Sequence, residues 1–445
     1  SGDRAADLHH RSCTIFNIMR GGLPVEGDRI EGDDFFAFLR RRNRILASEM
    51  KRWWQERMPQ AEWRLHRMLK VASSDTSEFG RQATRLLLEY IPLHFSRRHG
   101  DPSRPWNRFS LPPMPTTGKP PIHYQGNWRD IFQNWEALGV SQPFLLPHMC
   151  ARFLNATTID GYNPYRIHQD GIDWEIPDPE DPWAYYGYWS DHQIVYLHRL
   201  LEKVHGFFPE LLPEWLDAAL FSTANVPYRL CGTEALFRNP RSTVTFDHDL
   251  QQIIRHQKEE VGEDAAFWLD SRKHPVLSTL AEKIFTLILA KTANFVPDGG
   301  IWMNTQRPEW NDANNALAGY GLSLVTLYQL LPFVAFIRRI LECGPGELRF
   351  YKSLKSWLLS CNNILSDWEK RILRHRLTSQ ERLQFMKAMA QAAAAYREKV
   401  YADGPGETDR IEREDLIAFC NRLEALLRTT MDRNARPDGL HHSYN

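Results

Sequence analysis

The sequence predicts an all-α protein in which antiparallel helical hairpins stack into an α/α toroid. Three observations lead there. Apolar residues recur at three- and four-residue spacing along nearly the whole chain. No run alternates at period two well enough to build a sheet. The helical stretches are joined by long polar loops rich in aromatic residues, and a ring of hairpins gathers such loops on one face, where a pocket can form.

Residues 34–70 (DFFAFLRRRNRILASEMKRWWQERMPQAEWRLHRMLK) form a long amphipathic region of more than one helix, and GRQATRLLLEYIPLHFSRR (80–98) forms another. Between 100 and 125 the Pro-rich PSRPWNRFSLPPMPTTGKPP must be a loop or an extended crossing. Further helices are expected at 129–138, 146–155, 190–205, 213–222, 248–260, 277–294, 319–341, 346–374, 379–401 and 411–431. Their starts carry capping residues: Ser190, Asp312, and Ser379 with Glu381 behind it. Short strands at 227–231 and 242–246 decorate loops. The division expected is a helical segment over 1–110 leading into a toroid over 111–445, the two running on as one continuous domain.

With 445 residues, 42% of them apolar and 25% charged, the chain has material for a large core. Its formal net charge of zero gives no electrostatic reason to expect nucleic acid or an anionic membrane as partner. The apolar run from Tyr320 to Leu341 is broken by Gly321, Ser323, Gln329 and Pro332 and reads as a buried helix rather than a membrane span. Six scattered cysteines without a CxxC argue against a disulfide scaffold or a Cys-based zinc site and lean towards a reducing, cytoplasmic setting. No signal peptide is visible. The missing initiator Met and the ending at DGLHHSYN lead us to expect an excised piece of a longer protein, with toroid sequence lacking at the C-terminus.

Four stretches carry the chemistry. GNWRDIFQNWEAL (126–138) opens a helix with Trp128, Arg129 and Asp130. Asp130 suits the first helical turn, whereas Arg129 is disfavoured there unless something anionic or hydroxyl-rich lies near. DGYNPYRIHQDGIDWE (160–175) interleaves Tyr162, Tyr165 and Trp174 with Asn163, Arg166, Asp170, Asp173 and Glu175. Rings beside acids and amides are what sugar recognition needs, since the rings take C–H faces and the polar groups take vicinal hydroxyls. The ligand spacing of the familiar calcium loop is absent. YYGYWSDHQIVYLHRLL (185–201) holds Trp189, Asp191 and His192, with capping as the plain explanation of Ser190. His192 and His198 are not at zinc spacing, and no metal is expected. IWMNTQRPEWNDANNAL brings Trp302, Glu309, Trp310, Asn311 and Asp312 to the mouth of an apolar helix. Capping explains one acid there but not the whole cluster. Each Trp in these stretches can be a plug against the core or a stacking face for a sugar ring.

No nucleophile elbow, P-loop, HExxH or dinucleotide fingerprint occurs. Carboxylates and aromatics remain, which points to acid/base work on glycosidic bonds.

EWNDANNALAG resembles the G-D-W-N-D-G-M-N-x-x-G signature of the cellobiose and chitobiose phosphorylases, whose catalytic domain is an (α/α)6 barrel of the six-hairpin glycosidase type. NWRDIFQNWEAL is similar to their F-R-D-Q-L-Q-D helix and YWSDHQIVYL to their S-D-D-L-L-W-L helix, in the same chain order, over about forty residues in all. The resemblance implies Asp312 as general acid, a sugar subsite lined by Arg129, Asp130 and Trp310, and a matching role for Asp191. Glu309 stands where the signature has its first acid, Ala313-Asn314 replace Gly-Met, and Asn134 replaces the last acid of the first helix. No match to the family's phosphate loop follows Asp312. Hydrolysis, transglycosylation and phosphorolysis therefore all stay open, with inorganic phosphate as co-substrate only in the last and no other cofactor.

Asp312 would need a raised pKa to hold its proton near neutrality. A second carboxylate would lie ~6.5–9.5 Å away in an inverting enzyme and ~5–5.5 Å away in a retaining one. Asp130, Asp173, Glu175 and Asp191 are the candidates. The expected substrate is a disaccharide or oligosaccharide. The competing expectation is a non-catalytic glycan-binding or scaffolding toroid; a helical interaction repeat would need a period of about 34–45 residues, which the sequence lacks.

Overall fold

A computed structural model describes residues 4–20, 22–57, 63–94, 118–164, 166–180, 193–304 and 317–445. The protein is mostly α: 60% helical, with 17 α-helices among the described residues. The strands are short and form small antiparallel sheets of two or three.

Two apolar cores organise the chain. The smaller belongs to helices Gly32–Arg42, Arg44–Glu49, Lys51–Arg57, Leu65–Ser73 and Glu78–Glu89. Phe35 is its centre, meeting Trp54 edge-on at 5.2 Å and Tyr90 at 5.3 Å. Asn43 breaks the first two helices apart: its backbone is extended, and its side chain accepts from the Leu46 amide, so it caps the second helix. The Glu78–Glu89 helix serves both cores, giving Leu86 and Leu87 to the smaller and Leu88 to the larger.

The larger core runs from Leu88 to Leu427. Helices Lys352–Arg374 and Ser379–Asp403 lie antiparallel, because Trp357 near the start of one stacks on Tyr396 near the end of the other at 4.3 Å. Trp368 meets Phe385 at their opposite ends. The cap of the second helix is Thr378, one residue before the Ser379 expected, in a reciprocal capping box with Glu381. Leu324–Glu342 is long and apolar enough to cross a membrane by length and composition. Here it is a core helix, burying Leu327, Leu330, Phe333, Val334 and Ile337.

Other elements depart from the sequence expectations for local reasons. The helix expected at 80–98 ends at Glu89, because Ile91 precedes Pro92 and must leave the helical region. The one expected at 213–222 ends at Trp215; the Leu220 and Phe221 amides donate instead to Ser278 O, 3.0 Å each. The 346–374 stretch starts as strand Glu347–Tyr351, paired with Thr408–Glu412. Helix Arg4–Arg20 lies within the helical segment expected over 1–110 but had no bounds of its own, and helix Thr233–Arg238 is not among the expected helices. The strands expected at 227–231 and 242–246 form as Tyr228–Leu230 and Val244–Phe246, paired with each other.

A three-stranded sheet positions the candidate site. Gln125–Asn127 pairs with Arg166–His168, which pairs with Gly171–Asp173. Helix Trp128–Ser141 leaves that sheet directly. Its N-terminal end lies beside that of helix Gln193–Phe207, where Phe132 stacks on Tyr196 at 5.4 Å.

Candidate functional site

The backbone joins the first two of the four chemical stretches. Asn127 is the cross-strand partner of Arg166, and Arg166 that of Asp173. The Arg166 guanidinium and Asp173 carboxylate are directly paired and part-exposed. Trp128, Arg129 and Asp130 begin the helix one residue beyond that sheet, with their side chains outside the described part. The Phe132–Tyr196 stack brings the third stretch alongside, although Trp189 and Asp191 lie outside the described residues.

The region after Ala156, expected to be one long loop, is packed rather than open. Residues 157–164 are buried throughout, and two strands follow. Tyr162 and Trp174 are buried, and the Trp174 indole donates to Gln251 Oε1 at 2.7 Å. Lys258 Nζ lies 5.8 Å from the Trp174 ring centre, and Lys291 Nζ 5.7 Å from that of Tyr162. The Glu175 carbonyl accepts from Tyr228 Oη. Asn163 stands apart. It is fully buried, and neither its amide nitrogen nor its amide oxygen has a hydrogen-bond partner among the described residues. Buried amides rarely stay unpaired, because each lost bond costs about 1–3 kcal/mol.

The fourth stretch is seen through its flanks; Glu309, Trp310, Asn311 and Asp312 lie outside the described residues. Those flanks meet: Gly319 N donates to Met303 O at 2.6 Å, and the buried Trp302 indole donates to Gly319 O at 3.0 Å. Thr243 Oγ1 donates to Asn304 O, and the Asn304 amide donates to Asn294 Oδ1 at 2.7 Å. Asn304 and Asn294 line a cavity of about 20 Å³ with Asp160, Tyr162 and Arg397, room for one water. Asp160 accepts from Thr158 Oγ1 and from Tyr401 Oη. The second stretch and the fourth thus share a polar wall. Asp160 and Asn304 sat inside the quoted stretches without being singled out. Asn294, Arg397 and Tyr401 come from helical segments whose chemistry gave no signal.

A far larger cavity lies elsewhere. A groove of about 1090 Å³ opens between the two cores, lined by Leu65, Leu69, Phe144, Phe208, Trp215 and a charged rim. Phe144 lies three residues past helix Trp128–Ser141 and Phe208 directly follows helix Gln193–Phe207, so the groove sits at their C-terminal ends. Over a 14-residue helix that is about 20 Å from the helix start at Trp128. None of the described residues that the sequence singled out lines it. Its charges are largely met by each other and by the backbone: Arg410 pairs with Asp217 at 2.7 Å, and Arg349 donates to Leu277 O at 3.1 Å. On the rim, one ligand atom each of Glu78, Asp270 and His274 falls within 4.8 Å of the others. Arg272 already holds Glu78 (3.1 Å) and Glu49 (2.6 Å), His274 Nδ1 faces Glu78, and Asp270 caps its own turn. This cluster is an ionic tether across the seam. We accordingly place the candidate site at the sheet and helix N-termini, not in the groove.

Behind the groove, helix Leu280–Thr292 starts with a capping box, Thr279 and Glu282. Burial pushes the Glu282 carboxyl up to about 7, against the pull of Arg349 and the Thr279 amide. Burial likewise pushes the next residue, Lys283, well below its ordinary value. Its Nζ donates to Thr157 O, Ser222 O and Thr223 Oγ1, stapling the loop that leads to Asp160.

Neither the scan against protein-family models nor the search of curated proteins gave a match to this sequence.

Proposed function

We propose that this protein is a carbohydrate-active enzyme built on a six-hairpin (α/α)6 toroid, cleaving or transferring a glycosidic bond with Asp312 as general acid. The observation that carries it is the buried amide of Asn163, unpaired at both ends among the described residues, within the stretch that supplies Arg166, Asp173 and Trp174. A sugar hydroxyl, donor and acceptor at once, has the chemistry to satisfy it. Two further features support the reading. The flanks of the Asp312 segment share a polar wall with Asp160 and Tyr162, and the helix opened by Trp128, Arg129 and Asp130 leaves the sheet that holds Arg166 and Asp173.

In this reading Asp312 protonates the leaving oxygen. Asp173, Asp191 or Asp130 activates the attacking water or acts as nucleophile, or inorganic phosphate attacks in their place. Glu309, Trp310, Asn311 and Trp189 complete the sugar-binding wall; Trp302, expected there, is instead buried with its indole N–H on Gly319 O. The test is sugar release from a panel of α- and β-linked di- and oligosaccharides, with and without phosphate, for wild type beside Asp312→Asn. Phosphate-dependent sugar 1-phosphate lost in the variant identifies a phosphorylase. Phosphate-independent cleavage lost likewise identifies a hydrolase or transglycosidase. Cleavage unaffected by the substitution rules out Asp312, and glycan binding without turnover establishes the non-catalytic toroid.

A further inference from the structure

Three arginines and two carboxylates are sealed together where the two cores meet. Arg42 lies 2.5 Å from Glu89 and 2.8 Å from Asp264, Arg85 forks onto Asp264 at 2.8 and 3.1 Å, and Arg152 reaches Glu89 at 3.1 Å. All five are at most 3% exposed. Within this set three positive charges face two negative ones, so a guanidinium surplus must find other oxygen. It finds the turn of one hairpin. Arg152 donates to the carbonyls of His168 and Gly171, the latter at 3.0 Å, and Arg42 donates to that of Asp170 at 2.6 Å. Charge-assisted bonds of this kind are the strong ones, and leaving any of them unmade inside the protein is costly.

The captured turn, 168–171, joins the strands that carry Arg166 and Asp173. Arg166 is two residues from His168, about 7 Å along a strand. We propose that Arg42 and Arg152 are positioning residues: by holding this turn they fix the register of the hairpin and aim Arg166 and Asp173 at a sugar. This rests on the function proposed above, but the clamp itself does not. The 32–89 helices would then contribute to sugar affinity without touching sugar, through Arg42 and Glu89. Arg41, whose Nε lies 2.9 Å from Asp170 Oδ1, adds an outer clasp on the same turn.

The test uses Arg152→Lys, which keeps the charge but loses the fork across two carbonyls, and Arg41→Gln, which removes only the part-exposed clasp. Hydrogen exchange of 166–173 and steady-state kinetics on the best sugar of the panel are read for both. For Arg152→Lys we expect exchange in the hairpin to quicken roughly ten-fold while helix 352–374 is unchanged. kcat/KM should fall several-fold, through KM as Arg166 loses its aim and through kcat to the extent that Asp173 is the second carboxylate. Arg41→Gln should show the same pattern more weakly, and it decides the matter if Arg152→Lys does not fold. Hairpin exchange equal to wild type, or quickened exchange with kcat/KM unchanged, overturns the proposal. Quickened exchange in a protein whose wild type turns over no sugar leaves the clamp standing and removes the enzyme reading instead.

Discussion

Replacing Glu282 by glutamine should change stability by an amount that depends on pH. The carboxyl is 1% exposed at the third position of its helix, and burial raises it from an ordinary 4.5 to about 7. The folded state therefore holds a proton that the unfolded state gives up between these two values, so stability falls as pH rises through that window. Two and a half pH units at about 1.4 kcal/mol each come to roughly 3 kcal/mol over the whole window, of which about 2 to 3 falls between pH 5 and pH 8. Glutamine keeps an acceptor for the Thr279 amide, which donates to Glu282 Oε2 at 2.7 Å, and has no charge to bury. Denaturant titrations of wild type and Glu282→Gln at pH 5, 6, 7 and 8 measure the difference. Other groups that titrate in this range without interacting with Glu282, such as His148, are common to both proteins and cancel, whereas Lys283, whose charged form Glu282 favours, loses that support in the variant. The variant should gain about 2 to 3 kcal/mol relative to wild type between pH 5 and 8. A difference that stays flat would mean that Glu282 ionises as it would in water, and the linkage reasoning would be wrong.

Two substitutions test the packing on either side of the seam. Gly161→Ala puts a Cβ 2.7 Å from Ala290 Cβ and 3.0 Å from Thr286 O at a residue with φ +85°, so it should lose about 2 to 4 kcal/mol, read by denaturant midpoint. Trp54→Ala empties the centre of the smaller core, where the ring is fully buried against Phe35 and Trp53, and should lose about 3 to 5 kcal/mol. Near-UV and far-UV circular dichroism should be lost together at the same, lower denaturant concentration, because the sealed ion cluster ties the two cores; near-UV loss ahead of far-UV loss would show that the cores unfold separately.

What could be read in the sequence follows from what leaves a local trace. Helix 248–260 matched its expected bounds, because Asp247 caps a clear 3.6-residue period. Helix Arg4–Arg20 left little trace: where its side chains are described they are exposed, so no apolar stripe marks it. Strand Glu347–Tyr351 finds its partner some sixty residues downstream, and five residues running into a helix carry no period of their own. Arg42, Arg85 and Glu89 sat in stretches that read as charged helix faces. Only the fold shows that these charges meet each other out of water. At the site, residue types were legible and their exposure was not: Tyr162, Trp174 and Trp302 looked like loop rings and are buried, two of them with their indole N–H bonded. The Arg166–Asp173 pairing needed a hairpin that one strand could not announce.

The sealed ion cluster also dictates where this chain can be divided. A cut near residue 110 looks natural from the Pro-rich sequence there, and each side has its own apolar core. Yet such a cut strands Arg152 and Asp264 in one fragment and Arg42, Arg85 and Glu89 in the other. Each piece would then face water with a surface shaped for charges it no longer has. Expressed apart, the halves should be poorly soluble; mixed together, they should re-form the whole. For recombinant work the 32–89 helices and the body behind them are one indivisible unit.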